Sequence, residues 1–319
     1  MSVTEKNQSS STETSIVIHG GAGSMRSDEM SEEKQSACRD ALRAALRDGN
    51  TVLRSGGSAL DAVEAAVTTM ESIPLFNAAR GAVLTSEGTV ELEAAIMDGA
   101  TRRAGALTGG KTVRHPIRAA RTIMDVSSHV MLAQDGAEAF VREQGLETVE
   151  NDHFITASRR SSPEEGESSS ETSGAEFEAS GTVGAVALDE DGNLAAGSST
   201  GGTSGKHLGR VGDSPLIGAG TYAHNAACAV SATGQGEFFV RGVAAHDIAA
   251  RMRFGGVALE EAVRSTIGEI EALGGVGGVI ALDRDGNIAM PFSTSGMFRA
   301  CVDTEGRTRI RIFAQDSGE

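Results

Sequence analysis

The sequence predicts a layered α+β fold in which helices cover antiparallel sheets. Two hairpin signatures and two sets of helical segments carry that prediction. One hairpin runs Val183-Gly-Ala-Val-Ala-Leu into the turn Asp189-Glu-Asp-Gly-Asn193 and returns through Leu194-Ala. The other runs Val276-Gly-Gly-Val-Ile-Ala-Leu into Asp283-Arg-Asp-Gly-Asn287 and returns through Ile288-Ala. Small and β-branched residues on both sides of an Asp-Gly-Asn turn are a hairpin signal, because glycine supplies the positive φ that the turn needs. Hairpins of this kind need an apolar cover on one face, and amphipathic helices on either side of them in the sequence supply it.

The elements follow in order. Ser15-Ile-Val-Ile-His19 reads as a short buried strand entering the small-residue turn Gly20-Gly-Ala-Gly23. Residues 32–54 have helical spacing, with Ala37, Ala41, Leu42, Ala45 and Leu46 on one side, and Gly56-Gly57 stops them. Ser58 caps a second helix, with Asp61 three residues on and Leu60, Val63, Val67 and Met70 as its apolar stripe. Residues 82–84 and 89–96 read as strands around Ser86-Glu-Gly88. Pro116 opens a helix whose periodicity runs through residues 117–132, and residues 135–144 form another, ended by Gly145. Residues 158–180 are rich in Ser and Glu and too poor in apolar side chains to offset the entropy of ordering, so a disordered linker is expected there. Residues 237–254 and 259–273 read as two long helices.

Composition narrows the function. The chain has 319 residues, of which 39 % are hydrophobic and 23 % charged, a globular balance. Its formal charge of −16 repels nucleic acid and anionic membranes, so neither is an expected partner. No apolar run approaches a bilayer span, and the polar N-terminal segment lacks the core of a signal peptide; a cytoplasmic location is expected. Cys38, Cys228 and Cys301 are odd in number and widely spaced, which points to buried free thiols. Lys6, Lys34, Lys111 and Lys206 are the only lysines, and an acidic, lysine-poor surface points to a high-salt, halophile-like cytoplasm.

The informative juncture is Gly181-Thr182, where the acidic linker meets a buried-looking strand. A threonine hydroxyl is a poor nucleophile alone, but a free α-amine on the same residue can serve as its general base. Such an amine has an ordinary pKa of about 7.7–8.0 and accepts a proton near neutrality. Cleavage before Thr182 would create the pair, and Gly181 leaves the carbonyl under attack sterically open.

With these residues the sequence resembles the plant-type L-asparaginase and isoaspartyl peptidase family, threonine N-terminal-nucleophile (Ntn) hydrolases. The matching motifs are Ile18-His-Gly-Gly-Ala-Gly23, Pro74-Leu-Phe-Asn-Ala78, Met97-Asp-Gly99, Gly181-Thr-Val-Gly-Ala-Val-Ala-Leu188, Ser199-Thr-Gly-Gly202, Gly209-Arg-Val-Gly-Asp-Ser-Pro215, Gly218-Ala-Gly220 and Thr233-Gly-Gln-Gly-Glu237. The resemblance implies a four-layer αββα sandwich. It implies a precursor cut into residues 1–181 and 182–319, which together form one Ntn-hydrolase domain.

The resemblance also assigns roles. Thr182 would be the nucleophile and Thr200 would help orient its hydroxyl. Arg210 would take the substrate α-carboxylate and Asp213 its α-ammonium. The Thr233 hydroxyl and the Gly234 amide would form the oxyanion hole, with Asn77 near the amine or a water. Backbone carbonyls of Met70, Glu71, Ile73, Phe76, Ala78 and Arg80 would hold a structural sodium ion, with no organic cofactor. The implied activity is hydrolysis of L-asparagine and of β-aspartyl dipeptides, by a homodimer of αβ units. A glycosylasparaginase is the neighbouring alternative, and an unprocessed, non-catalytic binding protein is the alternative from another class.

The remaining motifs read plainly. Gly20 to Gly23 lacks the Lys-Ser/Thr of a phosphate loop and the full dinucleotide-binding spacing. The seven histidines show no metal-ligand spacing, so they read as structural or exposed.

Overall fold

A computed structural model describes residues 13–28, 30–160 and 181–316. The expected linker therefore falls mostly outside the described residues; of its span only residues 158–160 are seen, at the end of a four-residue helical turn.

The elements are β1 (Ser15–Gly23), α1 (Glu32–Arg54), α2 (Ala59–Glu71), β2 (Leu92–Asp98), β3 (Ala104–Gly110), α3 (Pro116–Val126), β4 (Met131–Ala133), α4 (Gln134–Glu143) and α5 (Ala157–Arg160). After the undescribed stretch come β5 (Val183–Leu188), β6 (Leu194–Thr200), β7 (Thr221–Ala223), β8 (Cys228–Gly234), α6 (Gly236–Gly242), α7 (Ala244–Gly255) and α8 (Leu259–Ala272). The chain ends in β9 (Gly277–Asp283), β10 (Ile288–Ala289), β11 (Gly296–Val302) and β12 (Thr308–Phe313).

Two sheets stack face to face. The larger has the order β12-β11-β1-β5-β6-β2-β3-β4, the smaller β10-β9-β8-β7. Val17, Val186, Ala196 and Met297 of the large sheet share one apolar cluster with Val230, Ala232, Val279 and Ala281 of the small sheet, and with Ile248, Val263 and Ile267 from α7 and α8. Alternate residues of the same large-sheet strands, Ile16, Ile18, Ala185 and Ala187, pack instead with Leu42, Leu46, Val63 and Val67 of α1 and α2. This two-sided burial makes the strands continuous runs of small apolar residues rather than alternating ones. The result is the expected αββα order of layers.

The large sheet departs from the expectation in one respect. It is mixed, because β4 pairs with β3 in parallel. The helix read through residues 117–132 ends at Val126, and residues 131–133 turn back as an edge strand. Residues 82–84 form no strand, and the helix read over 237–254 is broken at Val243, which takes φ 47°. Local periodicity cannot register such a break, because both halves keep their apolar faces on β8 and α8.

The caps and hairpins behave as read. Ser58 accepts from the Asp61 amide at 3.1 Å, and its hydroxyl donates to the Asp61 carboxylate at 2.7 Å. In the first hairpin Asp189 Oδ1 accepts from the amides of Asp191 and Asn193, and in the second Asp283 Oδ1 accepts from Asp285 and Asn287. Asp303 makes the same pair of bonds to Glu305 and Arg307, a third turn of this kind joining β11 to β12. Cys38, Cys228 and Cys301 are free and buried, and burial pushes the Cys228 thiol up to about 12. Among the described residues no helix is long and apolar enough to cross a membrane.

Candidate active site

Thr182 stands at the head of β5, in the middle of the large sheet, and is 7 % exposed. Its backbone nitrogen donates to Thr233 Oγ1 at 3.2 Å. The amide of Ala22 donates to the same hydroxyl, also at 3.2 Å. Thr233, at the end of β8, thus ties the small sheet to the junction where β1 and β5 meet.

The Thr182 hydroxyl lies 3.2 Å from Ser214 Oγ. Ser214 belongs to the Gly-Arg-Val-Gly-Asp-Ser-Pro motif, but its role was not read from the sequence. Its position is fixed from behind by a fully buried polar chain. Its carbonyl accepts from Thr221 Oγ1 at 3.0 Å, Thr221 pairs with Ser198 at 2.7 Å, Ser198 with Ser231 at 2.8 Å, and Ser231 with His19 Nε2 at 2.9 Å. Burial holds the His19 imidazole down at about 3, against the opposing pull of the Thr182 backbone, so the ring is neutral. Gly184 makes room for this chain: a Cβ there would stand 2.0 Å from Ser231 Oγ and 2.4 Å from His19 Nε2. A glycine inside a strand is the signal that another group approaches closely.

Arg210 and Asp213 share a wall. A Cβ on Gly236 would lie 2.8 Å from Asp213 Oδ1 and 3.2 Å from Arg210 Nη2. Asp213 Oδ2 is buried without a hydrogen-bond partner. Burial raises this carboxyl to about 7, although the Arg210 charge pulls the other way. An unpartnered buried carboxylate oxygen is costly unless a cation completes it.

The Arg210 fork is partly occupied. Its Nε donates to Glu237 at 2.9 Å and its Nη2 pairs with the same oxygen at 2.9 Å, so the Nη1 side, beside Gly202 and Gly212, remains for a ligand. Behind Arg210 lie the buried Glu93, which accepts from the Gly212 amide at 3.1 Å, and Lys206, which donates to the Glu91 carbonyl at 2.8 Å. Burial raises the Glu93 carboxyl and lowers the Lys206 ammonium. No role was read from the sequence for Glu237, Glu93 or Lys206, because an isolated charge shows no partner there.

The other expected site residues sit around this centre. Thr200 ends β6, and its hydroxyl accepts from the Gly202 amide at 2.9 Å. Asn77 donates to the Gly202 carbonyl at 2.7 Å and accepts from the Val83 amide at 2.9 Å. These two residues hold the 200–202 turn against which Arg210 packs. Gly234 takes φ 146° and lies against Gly277, where a Cβ would be 2.5 Å from the Gly277 Cα. No side chain fits that backbone path.

In the 70–80 segment the Met70 carbonyl accepts from the Ser72 and Ile73 amides, the Glu71 carbonyl from Arg80 and the Ile73 carbonyl from Phe76. A carbonyl that accepts a single amide keeps a second lone pair. The Phe76 carbonyl turns toward Gly81, where a Cβ would meet it at 2.8 Å. The Glu71 side chain anchors the segment by accepting from the Ile117 amide at 2.9 Å and pairing with His115 at 3.2 Å.

A layered αββα fold with a buried threonine heading a central strand, its nitrogen and hydroxyl both held by hydroxyl groups, defines an Ntn-hydrolase layout. The comparisons with known proteins agree. The chain belongs to the asparaginase family, whose pattern it matches over residues 12–312. It is 50 % identical to the isoaspartyl peptidase of Escherichia coli (strain K12) over 293 residues, covering 89 % of this chain and 91 % of that one. It is 50 % identical over 293 residues to the isoaspartyl peptidase of Salmonella typhimurium, covering 89 % and 94 %. It is 41 % identical to the probable isoaspartyl peptidase/L-asparaginase 2 of Arabidopsis thaliana over 323 residues, covering 93 % and 98 %.

Proposed function

We propose that the chain cuts itself between Gly181 and Thr182 and then hydrolyses L-asparagine and β-aspartyl dipeptides with Thr182 as nucleophile. The observation that carries this reading is the pairing of Thr182 with Ser214 beside Asp213. It brings a buried nucleophile within one residue of a buried carboxylate oxygen that lacks a cation. An α-ammonium supplies that cation, and Arg210 Nη1 takes the α-carboxylate. The names of the relatives favour this reading over a glycosylasparaginase.

In the first reaction Thr182 Oγ attacks the Gly181 carbonyl. The Gly181–Thr182 amide bond breaks as the ester forms, and the nitrogen keeps its proton and gains another. Water then hydrolyses the ester to leave a Gly181 carboxylate and a free Thr182 amine. In the second reaction that amine takes the Oγ proton, and Oγ adds to the β-carbonyl of the substrate. The amine returns the proton to the departing ammonia or amino acid, and water releases aspartate. The Thr233 hydroxyl and the Gly234 amide serve the oxyanion, where each such donor is worth about 3–4 kcal/mol of barrier. Thr200 and Asn77 act as positioning residues through the 200–202 turn.

The topology supports two chains in one fold. β1 lies between β11 and β5, and β2 between β6 and β3, so strands from before and after the cut interleave and the cut leaves the sheet whole. On this reading residues 1–181 and 182–319 are the two subunits, and two such pairs make the dimer. Carbonyls of Met70, Glu71, Ile73, Phe76, Ala78 and Arg80 are of the kind that holds a hard cation such as sodium. The enzyme is cytoplasmic.

Denaturing mass measurement, with ammonia release from asparagine and cleavage of β-aspartyl-leucine, tests the proposal. Two fragments, the second beginning at Thr182, and an uncut, inactive Thr182→Ala variant are expected. A persistently whole and inactive wild-type chain overturns it.

A further inference from the structure

We infer that the slot between the free edges of the two sheets, below β12, is a binding site for a small multivalent oxyanion. The slot is a cavity of about 230 Å³ lined by Arg264, Arg299, Arg309 and Arg311, with Glu260 as the one acidic side chain in its wall. It lies where β10, the end of the small sheet, meets β12, the end of the large sheet.

The strand register puts three of these arginines on one face. Arg299 pairs with Arg311 across β11 and β12, and Cys301 pairs with Arg309. Met297 and Cys301 of that face belong to the inter-sheet core, while Ile310 and Ile312 point to the helix side. The arginines of β12 therefore point inward, between the sheets.

Their charges are poorly matched by protein groups. Arg299 is fixed in the floor: it donates to the carbonyls of Met297, Ile312 and Phe313 and lies over the Phe292 ring at 4.7 Å. None of these partners carries charge, and burial together with the neighbouring Arg311 lowers its guanidinium to about 10, against the opposing pull of Asp316. Arg264 is taken by Glu260 at 2.6 Å. Arg309 reaches Asp303 only at 3.6 Å, and Asp303 already pairs with Arg307 at 2.9 Å. Arg311 has no acidic partner among the described residues. The Nε groups of Arg309 and Arg311 are both buried without a hydrogen-bond partner.

Inward charges on an edge strand can serve only to discourage sheet-to-sheet pairing. Two Nε–H donors buried without a partner on half-buried arginines are costly in that role, and the cost falls if an anion accepts from them. In a chain of net charge −16 the concentration of positive charge here is a local inversion. The volume suits phosphate or a short dicarboxylate and is below the usual range of drug-sized pockets.

Purified full-length protein, as it matures, is titrated with inorganic phosphate at constant ionic strength while its melting temperature and heat of binding are read. Malonate forms a parallel arm, to separate a phosphate source from a carboxylate one. Arg309→Gln/Arg311→Gln is compared with the wild type; because Arg210 is intact in both, the difference reports the slot. Saturable stabilisation by phosphate, malonate or both, weakened tenfold or more in Kd in the double variant, is the expected result. Equal responses of wild type and variant, or a response that sodium chloride reproduces at the same ionic strength, overturn the inference. Circular dichroism checks that the variant is folded, and if it is not, the single variant Arg311→Lys replaces it. Lysine keeps the charge and removes the fork, so an affinity unchanged in that variant also overturns the site.

Discussion

Gly21 and Gly181 touch backbone to backbone. A Cβ on Gly21 would stand 2.7 Å from the Gly181 Cα, and one on Gly181 would stand 2.3 Å from the Gly21 Cα. Gly21 also takes φ 112°, which side chains rarely adopt. The second glycine of the His-Gly-Gly-Ala-Gly motif is thus the seat of the proposed scissile linkage. Gly21→Ala should displace Gly181 by about 1 Å and slow cleavage by roughly 100-fold or more. The rate of appearance of the Thr182 fragment, followed by mass spectrometry, measures this. Gly136→Ala, where a Cβ meets nothing within 4 Å, is the control and should cleave at the normal rate.

Ser214 faces Thr182, the proposed nucleophile, so its loss should act on chemistry more than on binding. Ser214→Ala removes one hydrogen bond to Thr182 Oγ1, worth about 1–2 kcal/mol, which is roughly tenfold in kcat. KM for asparagine should move less than twofold. A variant that raises KM tenfold with kcat intact would place Ser214 in the binding pocket instead.

What could be read from the sequence, and what could not, follows from the range of the interactions. The hairpins, the Ser58 cap and the Thr182 strand depend on residues a few positions apart, so their signatures are local. The Ser214 contact joins residues 32 apart, and the His19–Ser231 bond residues 212 apart. No spacing rule reaches that far. Arg210 and Asp213 were legible because a motif carried them together. Glu237 closes the Thr233-Gly-Gln-Gly-Glu motif, but its contact with Arg210 was not legible, because an acidic residue opening a helix has an ordinary local explanation in the helix dipole. Val243 shows the same limit in the fold, since an apolar residue at φ 47° gives no warning in its periodicity.

Asp213 sets a pH dependence whose sign can be worked out. Its folded pKa, about 7, is above the ordinary 3.8, so the fold favours its neutral form. In the proposed mechanism the free enzyme must ionise it to receive an ammonium, and kcat/KM should then fall as pH drops below about 7. The stability cost runs the other way. Relative to the unfolded chain, the favourable neutral form is fully present below pH 3.8 and is lost as pH rises to about 7. Asp213→Asn should therefore stabilise the protein at pH 8 by on the order of 2–4 kcal/mol, since each tenfold change in proton affinity is worth about 1.4 kcal/mol. The gain should shrink toward pH 5. Urea unfolding in a Thr182→Ala background, where the chain stays whole, reads both limits.

The charge of −16 predicts a salt response. Close-set surface carboxylates repel one another at low ionic strength, and screening shortens that repulsion to about 3 Å at 1 M. Relief of a few kcal/mol corresponds to a rise of roughly 10 °C in melting temperature for a protein of this size. A scan in potassium chloride from about 0.1 to 2 M measures it, and a flat profile removes the high-salt reading.

Glu237 holds one edge of the Arg210 fork, so a substrate carboxylate must compete with it. The Glu237 side chain is 59 % exposed, and water screens the pair, so the competition is modest. Its charge also opposes ionisation of Asp213. Glu237→Gln should therefore act twice in the same direction. It leaves Arg210 less neutralised for the α-carboxylate it is proposed to bind, and it lowers the pKa of Asp213, the proposed receiver of the α-ammonium. KM for asparagine should fall by about threefold, the scale of an exposed ion pair, and the acid limb of kcat/KM should shift to lower pH. A KM that rises instead would mean that Glu237 orients the arginine for the substrate, and that its contact with Arg210 is part of the binding site, not a competitor to it.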